Sequence, residues 1–87
     1  MRVRVREVGR GLHPSEVVVQ IETVEGPERL VVDRRSIHED SSIDVGYPVG
    51  RNKDYYLIEL PRETIHGSWR VWITKEVIAG EALEGVA

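Results

Sequence analysis

The sequence contains no cysteine. Disulfide bonds, thiolate zinc sites and thiol nucleophiles are therefore excluded for these 87 residues, and packing alone must stabilise the fold. The absence of cysteine also favours a cytoplasmic location, which we adopt as the prediction.

Long hydrophobic runs and a net positive charge are missing as well. The longest apolar runs, such as Val17, Val18 and Val19, are far shorter than the roughly 20 residues that cross a bilayer, so we predict no membrane span. The N-terminal residues alternate arginine with valine and include no apolar signal-peptide segment, so no secretion signal is expected. The formal net charge of −3 provides no general attraction to nucleic acid or anionic lipid, which reward a concentrated positive field.

What is present is the composition of an ordinary globular protein. Hydrophobic residues make up 40% and charged residues 31%, a balance that fits neither disorder nor a membrane protein. A chain of 87 residues is long enough for one compact core and too short for a second one. We therefore predict a single small β-domain over residues 1–76 and a flexible or short-helical tail over residues 77–87.

Alternation of apolar and polar residues is the clearest pattern in the sequence, and its period of two is typical of β-strands. The pattern occurs in five segments that are separated by glycine, proline and polar residues. The predicted strands are residues 2–8, 16–23, 29–33, 54–60 and 69–74. Their inward-facing residues form the predicted core: Val3, Val5, Val17, Val19, Ile21, Leu30, Val32, Tyr56, Ile58, Leu60, Trp69, Val71 and Ile73.

Five short strands in meander order, apolar on one face, predict an all-β fold. Because an open sheet would leave its edges exposed, we expect the strands to close into a small SH3-like or OB-like barrel. Ser36 and Glu39 have the S-x-x-E spacing of a capping box, which predicts one short helical turn beginning at Ser36. The alternative is an α+β arrangement in which this turn and the C-terminal segment form helices over one sheet face.

The outer faces of the first and fifth predicted strands carry arginine and aromatic side chains. If these two strands are neighbours, one surface combines Arg2, Arg4, Arg6, Tyr55, Arg70 and Trp72. Arginines that bind phosphates and rings that stack on bases are typical of single-stranded nucleic-acid binding, which is one alternative hypothesis. The opposing interpretation is that Glu16, Gln20 and Glu22 of the second strand neutralise the arginines by cross-strand pairing.

Three histidines, His13, His38 and His66, fall in predicted loops and suggest a second alternative, a small hydrolase or metalloenzyme. The only dense cluster of metal-ligating residue types is His38, Glu39, Asp40 and Asp44. Its spacing matches no metal motif, and no G-x-S-x-G nucleophile motif is present. We therefore predict no catalytic residue, no metal site and no cofactor.

Residues 36–53 form the longest predicted loop, and long loops on small barrels often carry binding. The loop is not a Walker phosphate loop, because Arg51 and not lysine follows Gly50 and because a strand comes next. We predict a non-enzymatic binding or accessory module whose protein partner contacts this loop or the face around Trp72. The predicted contact residues are Tyr47, Arg51, Lys53, Arg70 and Trp72. The pattern leaves the oligomeric state open, since strand edges could pair between copies.

Overall fold

The computed structural model describes residues 1–79 of the chain, and these residues confirm the predicted all-β class. They contain nine β-strands and two single 3-10 turns. The strands are β1 (Arg2–Arg4), β2 (Arg6–Arg10), β3 (Glu16–Thr23), β4 (Gly26–Asp33), β5 (Ser42–Asp44), β6 (Gly50–Asn52), β7 (Tyr55–Glu59), β8 (Arg70–Thr74) and β9 (Ile78–Ala79). The first 3-10 turn (Arg34–Ser36) follows β4, and the second (Lys75–Val77) joins β8 to β9.

The nine strands of the described chain form three antiparallel sheets of three strands each. The strand orders are β5-β1-β9, β2-β3-β4 and β6-β7-β8. One hydrogen bond between sheets runs from the amide of Val24, just after β3, to the carbonyl of Trp72 in β8 at 2.8 Å. The single five-stranded meander is therefore not what forms, and closure of a barrel is not confirmed.

The first predicted strand differs most from the structure, because it is broken at Val5 into β1 and β2. Val3 in β1 and Val5 at the break are both buried. The alternation of buried and exposed residues therefore continues through the break, although the hydrogen-bonding partners of the strand change there. β3 has the predicted bounds, and β7 and β8 lie within their predicted segments. The short strands β5, β6 and β9 were not predicted, since two or three residues provide too little alternation to recognise.

The helical turn near Ser36 is present but begins earlier than the sequence predicts. Asp33 caps it, since its carboxylate accepts a hydrogen bond from the amide of Arg35 at 2.8 Å. The side chain and amide of Arg35 hold the pKa of Asp33 below its ordinary value. The turn ends at Ser36, so the prediction of a capping box from Ser36 to Glu39 is wrong. Asp33 caps the turn in place of Ser36 because aspartate, like serine, is a favoured N-cap residue.

The predicted core is buried with one exception. Trp69 is 53% exposed, because it lies just before β8, where the strand end is open to solvent. The core also contains four residues that the alternation did not indicate: Ile43, Val45, Ile78 and Ala79. Ile78 and Ala79 pair with β1, so these two residues of the predicted tail belong to a sheet. Residues 80–87 of the predicted tail lie outside the described residues.

No helix in the part of the chain that the structure describes has the length and apolar character needed to span a membrane.

Candidate functional site

The outer surface of the β6-β7-β8 sheet is the candidate site, and we call it the Trp72 face. Directly paired residues of antiparallel strands project to the same side of a sheet. Because Tyr56, Ile58, Val71 and Ile73 are buried, the residues between them project outward. The Trp72 face is made of Gly50, Tyr55, Leu57, Trp72 and Thr74, and the remaining outward positions of this sheet are polar: Asn52, Glu59 and Arg70.

The indole of Trp72 lies along the sheet surface. Trp72 is paired with Leu57 on β7, which is paired in turn with Gly50 on the edge strand β6. A Cβ atom added at Gly50 would lie 3.8 Å from Cη2 of Trp72 and 3.2 Å from Cβ of Leu57. Since neighbouring strands are about 4.8 Å apart, the ring reaches from β8 to β6 only by lying across β7. The result is a flat apolar platform.

One exposed side chain extends this platform, and a second lies at the opposite edge of β8. Tyr55 is 41% exposed and lies diagonally across from Trp72 on the neighbouring strand. Val24 is 40% exposed, and its amide donates a hydrogen bond to the Trp72 carbonyl, so it lies at the opposite edge of β8. The chain just after β3 therefore borders β8 at the edge opposite β7.

A surface cleft of about 600 Å³ adjoins the Trp72 face, and we call it the arginine cleft. It is lined by Arg4, Val5, Arg6, Gln20, Glu22, Thr74, Glu76 and Val77. Thr74 belongs to both the face and the cleft, so the two are contiguous. A ligand of a few residues in extended conformation could contact both.

The acidic side chains of the arginine cleft accept hydrogen bonds from neutral side chains. The side-chain amide of Gln20 donates to Glu22 at 2.9 Å, and a hydrogen bond from the Thr74 side chain lowers the pKa of Glu76. Arg4 donates to the backbone carbonyl of Glu76 at 3.1 Å. Within residues 1–79, neither Arg4 nor Arg6 forms a salt bridge with a carboxylate. The cleft thus contains two arginines and two carboxylates, and none of these four side chains forms a salt bridge among the described residues.

The structure separates the arginines that the sequence places on one surface. The predicted neighbourhood of the first and fifth strands is wrong, because β1 pairs with β5 and β9 while β8 pairs with β7. Arg2 forms an ion pair with Asp44 at 3.6 Å, and Arg70 forms one with Glu59 at 3.1 Å. Arg70 projects from the same side of β8 as Trp72, and Arg4 and Arg6 reach the region of Trp72 through the arginine cleft.

The acids expected to neutralise the row have other partners. Glu16 forms an ion pair with Arg62 at 3.4 Å, and Gln20 accepts a hydrogen bond from Arg29 at 3.2 Å. Gln20 does lie opposite Arg6 in the register of β2 and β3. The predicted cross-strand pairing is therefore limited to this one neutral position among the described residues.

The predicted 36–53 loop is not a single loop, because β5 and β6 lie within it. Tyr47 is 70% exposed, is not part of the Trp72 face, and lies in a small depression with Val45 and Leu60. Arg51 projects to the inner side of the sheet, where its guanidinium lies 5.5 Å from the ring centre of Tyr56. Lys53 occupies the tight turn between β6 and β7 with a φ of 54°.

Sequence reasoning missed Gly50, Leu57 and Thr74 as members of the site. A signal for two of them was present, because Leu57 and Thr74 occupy outward positions of their strands together with Tyr55 and Trp72. An apolar residue at an outward position is the feature that points to a binding surface. Gly50 could not be recognised without the register of β6.

The histidines do not form a catalytic or metal-ligating constellation among the described residues. His38 bonds to Asp44 at 2.9 Å, and His66 bonds to Glu28 at 3.4 Å. Asp40 accepts a hydrogen bond from Ser42 instead of joining His38. In residues 1–79, no group of three or more histidine, aspartate and glutamate side chains could hold a metal ion.

The hydrogen bond between His38 and Asp44 makes the stability of the fold depend on pH in the acidic range. The hydrogen bond from His38 is the largest cause of the lowered pKa of Asp44. A carboxylate with a lowered folded-state pKa stabilises the fold above its unfolded value of about 4, and this contribution is lost as pH falls through the folded-state pKa. We expect Asp44→Asn to reduce the loss of thermal stability between about pH 5 and pH 2.

Thermal unfolding followed by circular dichroism over this pH range measures the effect. Asp54→Asn, which changes an exposed acid in the β6–β7 turn, is the matched control. Equal acid sensitivity of Asp44→Asn and the unmodified protein would contradict the assignment.

The Trp72 face and the adjoining arginine cleft are thus the features from which function can be inferred. Their residues come from β1, β2, β3, β6, β7 and β8, so the site depends on how all three sheets meet. Neither a protein-family model, nor a curated protein, nor a solved structure matches this chain.

Proposed function

We propose that this chain is a non-enzymatic protein-binding module that docks its partner on the Trp72 face. The supporting observation is the Trp72 indole, which lies along the sheet over Leu57 towards Gly50 with Tyr55 beside it. Tryptophan and tyrosine contribute strongly to protein interfaces because they bury a large apolar area at a small cost in conformational entropy. A partner that covers this platform would remove that area from water.

Protein is favoured over single-stranded nucleic acid by the charges around the platform. Arg2 and Arg70 are engaged by acids, and Glu22 and Glu76 line the cleft that contains Arg4 and Arg6. A nucleic-acid backbone would bring repeated phosphates past these carboxylates, and the net charge of −3 adds to the repulsion. The nucleic-acid alternative requires binding that weakens steeply with salt.

The same proposal includes a closed SH3-like or OB-like barrel as the support for this face. The hydrogen bond from Val24 to Trp72 links the β2-β3-β4 and β6-β7-β8 sheets. A second bond, from the amide of Ile65 to the carbonyl of Arg29 at 2.8 Å, links β4 to the chain between β7 and β8. We also propose a cytoplasmic location, which the absence of cysteine favours.

Affinity capture with a matched pair of tryptophan variants tests the proposal. Trp72→Ala removes the platform, whereas Trp69→Ala removes a 53% exposed indole that lies before β8 and outside the Trp72 face. We expect a protein retained from source-cell lysate by the unmodified chain and by Trp69→Ala to bind Trp72→Ala at least about tenfold more weakly, as for an interface hot spot.

Both variants must first show the circular-dichroism spectrum of the unmodified protein. Equal retention by Trp72→Ala and Trp69→Ala would show that the partner docks elsewhere. Binding of an oligothymidylate with a steep salt dependence, together with quenching of Trp72, would favour the nucleic-acid alternative.

A further inference from the structure

The β5-β1-β9 sheet carries a cluster of charged side chains that is sensitive to acid. We infer that this sheet opens in acid while the β2-β3-β4 and β6-β7-β8 sheets stay folded. The open form exposes side chains that are buried in the closed form, such as Val3, Ile43 and Ile78. The inference does not depend on the proposed function.

The charged cluster lies where β1 meets β5. The carboxylate of Asp44 lies 3.6 Å from Nε of Arg2, its partner in register, and 2.9 Å from Nε2 of His38. The ammonium group of Met1 also attracts Asp44, and Arg2 and His38 both attract Asp40. Two carboxylates thus lie among three basic groups, and histidine becomes charged in acid as carboxylates lose their charge. Protonation therefore replaces attraction between β1 and β5 by repulsion among Arg2, His38 and Met1.

The turn that leads into β5 depends on one of these carboxylates. Asp40 accepts a hydrogen bond from the hydroxyl of the completely buried Ser42, and this bond lowers the pKa of Asp40. Between them, Ser41 has a φ of 60°, a left-handed conformation that residues other than glycine rarely adopt. The carbonyl of Ser41 accepts a hydrogen bond from the amide of Val5 at 2.9 Å. Protonation of Asp40 therefore weakens a strained turn that is bonded directly to the chain after β1.

Carboxylates also support the chain before each edge strand of the sheet. Asp33 caps the 3-10 turn on the way to β5, and hydrogen bonds from Arg35 hold the pKa of Asp33 below its ordinary value. Glu76 lies in the turn before β9, and a hydrogen bond from the Thr74 side chain lowers its pKa. Further cations lie beside these two acids: Arg4, Arg62 and Lys75. Each lowered pKa stabilises the fold above about pH 4 and loses this effect as pH falls through the folded-state pKa.

Strand length distinguishes this sheet from the other two. β1, β5 and β9 have three, three and two residues, and both neighbours of β1 come from distant parts of the chain. β3 and β4 have eight residues each and follow one another as a hairpin, and β7 and β8 have five each. Acid also removes the ion pair of Glu59 and Arg70 on β7 and β8, but the backbone pairing and the buried Ile58 and Ile73 remain. Local openings occur in the units with the fewest buried contacts, so we expect the shortest sheet to open first.

Native-state hydrogen exchange followed by NMR tests the inference on the full chain. The amides of Val5 and Val45 report on the pairing of β1 with β5, since they donate to the carbonyls of Ser41 and Met1 at 2.9 and 2.8 Å. Their protection is compared, at each pH, with that of an unstructured chain. Between pH 6 and pH 2.5 we expect both amides to lose at least about tenfold in protection, while the amides of β3 and β7 keep theirs.

The variant Asp44→Asn carries a neutral side chain like that of the protonated acid. At pH 7 it should lower the protection of the Val5 and Val45 amides by about two- to fivefold, the factor that corresponds to an exposed ion pair. The amides of β3 and β7 should not change. Asp54→Asn is the matched control, because Asp54 is an exposed acid in the turn between β6 and β7, and its protection should equal that of the parent throughout.

Three results would overturn the inference. One is loss of protection in β1, β3 and β7 together at the same pH, which would indicate global unfolding. Another is full retention of the Val5 and Val45 protection at pH 2.5. The third is an Asp44→Asn protein whose protection matches that of Asp54→Asn, or falls by the same factor in all three sheets.

Discussion

Ile58→Ala should lower the free energy of unfolding by about 2–5 kcal/mol. Ile58 is completely buried on β7, the central strand of its sheet, and it pairs directly with Val71 of β8. Removing three carbon atoms from this position loses their transfer free energy and leaves a cavity that the surrounding strands can fill only in part. For a domain of this size such a loss is a large fraction of the total stability.

Chemical denaturation followed by circular dichroism measures this loss, and Ile65→Ala is its control. Both substitutions delete the same atoms, but Ile65 is 61% exposed, so its change should stay within about 0.5 kcal/mol. Equal effects of the two substitutions would contradict the burial of β7. Because Ile58 faces away from Trp72, a milder variant such as Ile58→Val can also show whether stability and binding vary separately.

Gly11→Ala should cost about 1–3 kcal/mol through overpacking. The amide of Gly11 donates to the carbonyl of Glu16 at 3.0 Å and closes the connection between β2 and β3. A Cβ atom at Gly11 would clash with Cβ of Glu16 and would lie 3.1 Å from its backbone carbonyl carbon. The backbone must therefore move, and that movement weakens the hydrogen bond.

Gly46→Ala is the comparison for this experiment. A Cβ atom at Gly46 would have no atom of the described chain within 4 Å, and the backbone there has no positive φ. We expect its free energy of unfolding to be unchanged or raised slightly, because alanine restricts the unfolded chain more than glycine does. A Gly11→Ala protein as stable as Gly46→Ala would show that the β2–β3 connection is looser than described.

The number of consecutive residues that alternate between apolar and polar decided which strands could be predicted from the sequence. β3 has eight residues with Val17, Val19 and Ile21 buried, and its bounds were predicted exactly. β5 and β9 have three and two residues, so their buried Ile43 and Ile78 show no period of their own. The alternation also runs unbroken through the change of sheet near Val5, because side-chain direction carries no information about the neighbouring strand.

The candidate site was predictable in its aromatic residues and not in their surroundings. Trp72 and Tyr55 stand at outward positions that the sequence reveals. The position of the Trp72 indole near Gly50 depends on the register of β6 against β7. The position of Arg4 and Arg6 near Trp72 depends on how separate sheets meet. These are relations between distant segments, which hydrophobic periodicity within one segment cannot encode.

The position of β1 at the centre of its sheet has a consequence for how the chain reaches this structure. Arg2 pairs with Asp44 on one side and with Ala79 on the other, so both neighbours of β1 come from much later in the chain. Closing such large loops costs entropy before any contact is gained, and β-proteins dominated by such distant pairings fold in milliseconds to seconds. We therefore expect the β2-β3-β4 and β6-β7-β8 sheets, whose strands follow one another in the chain, to form before β1 pairs with β5 and β9.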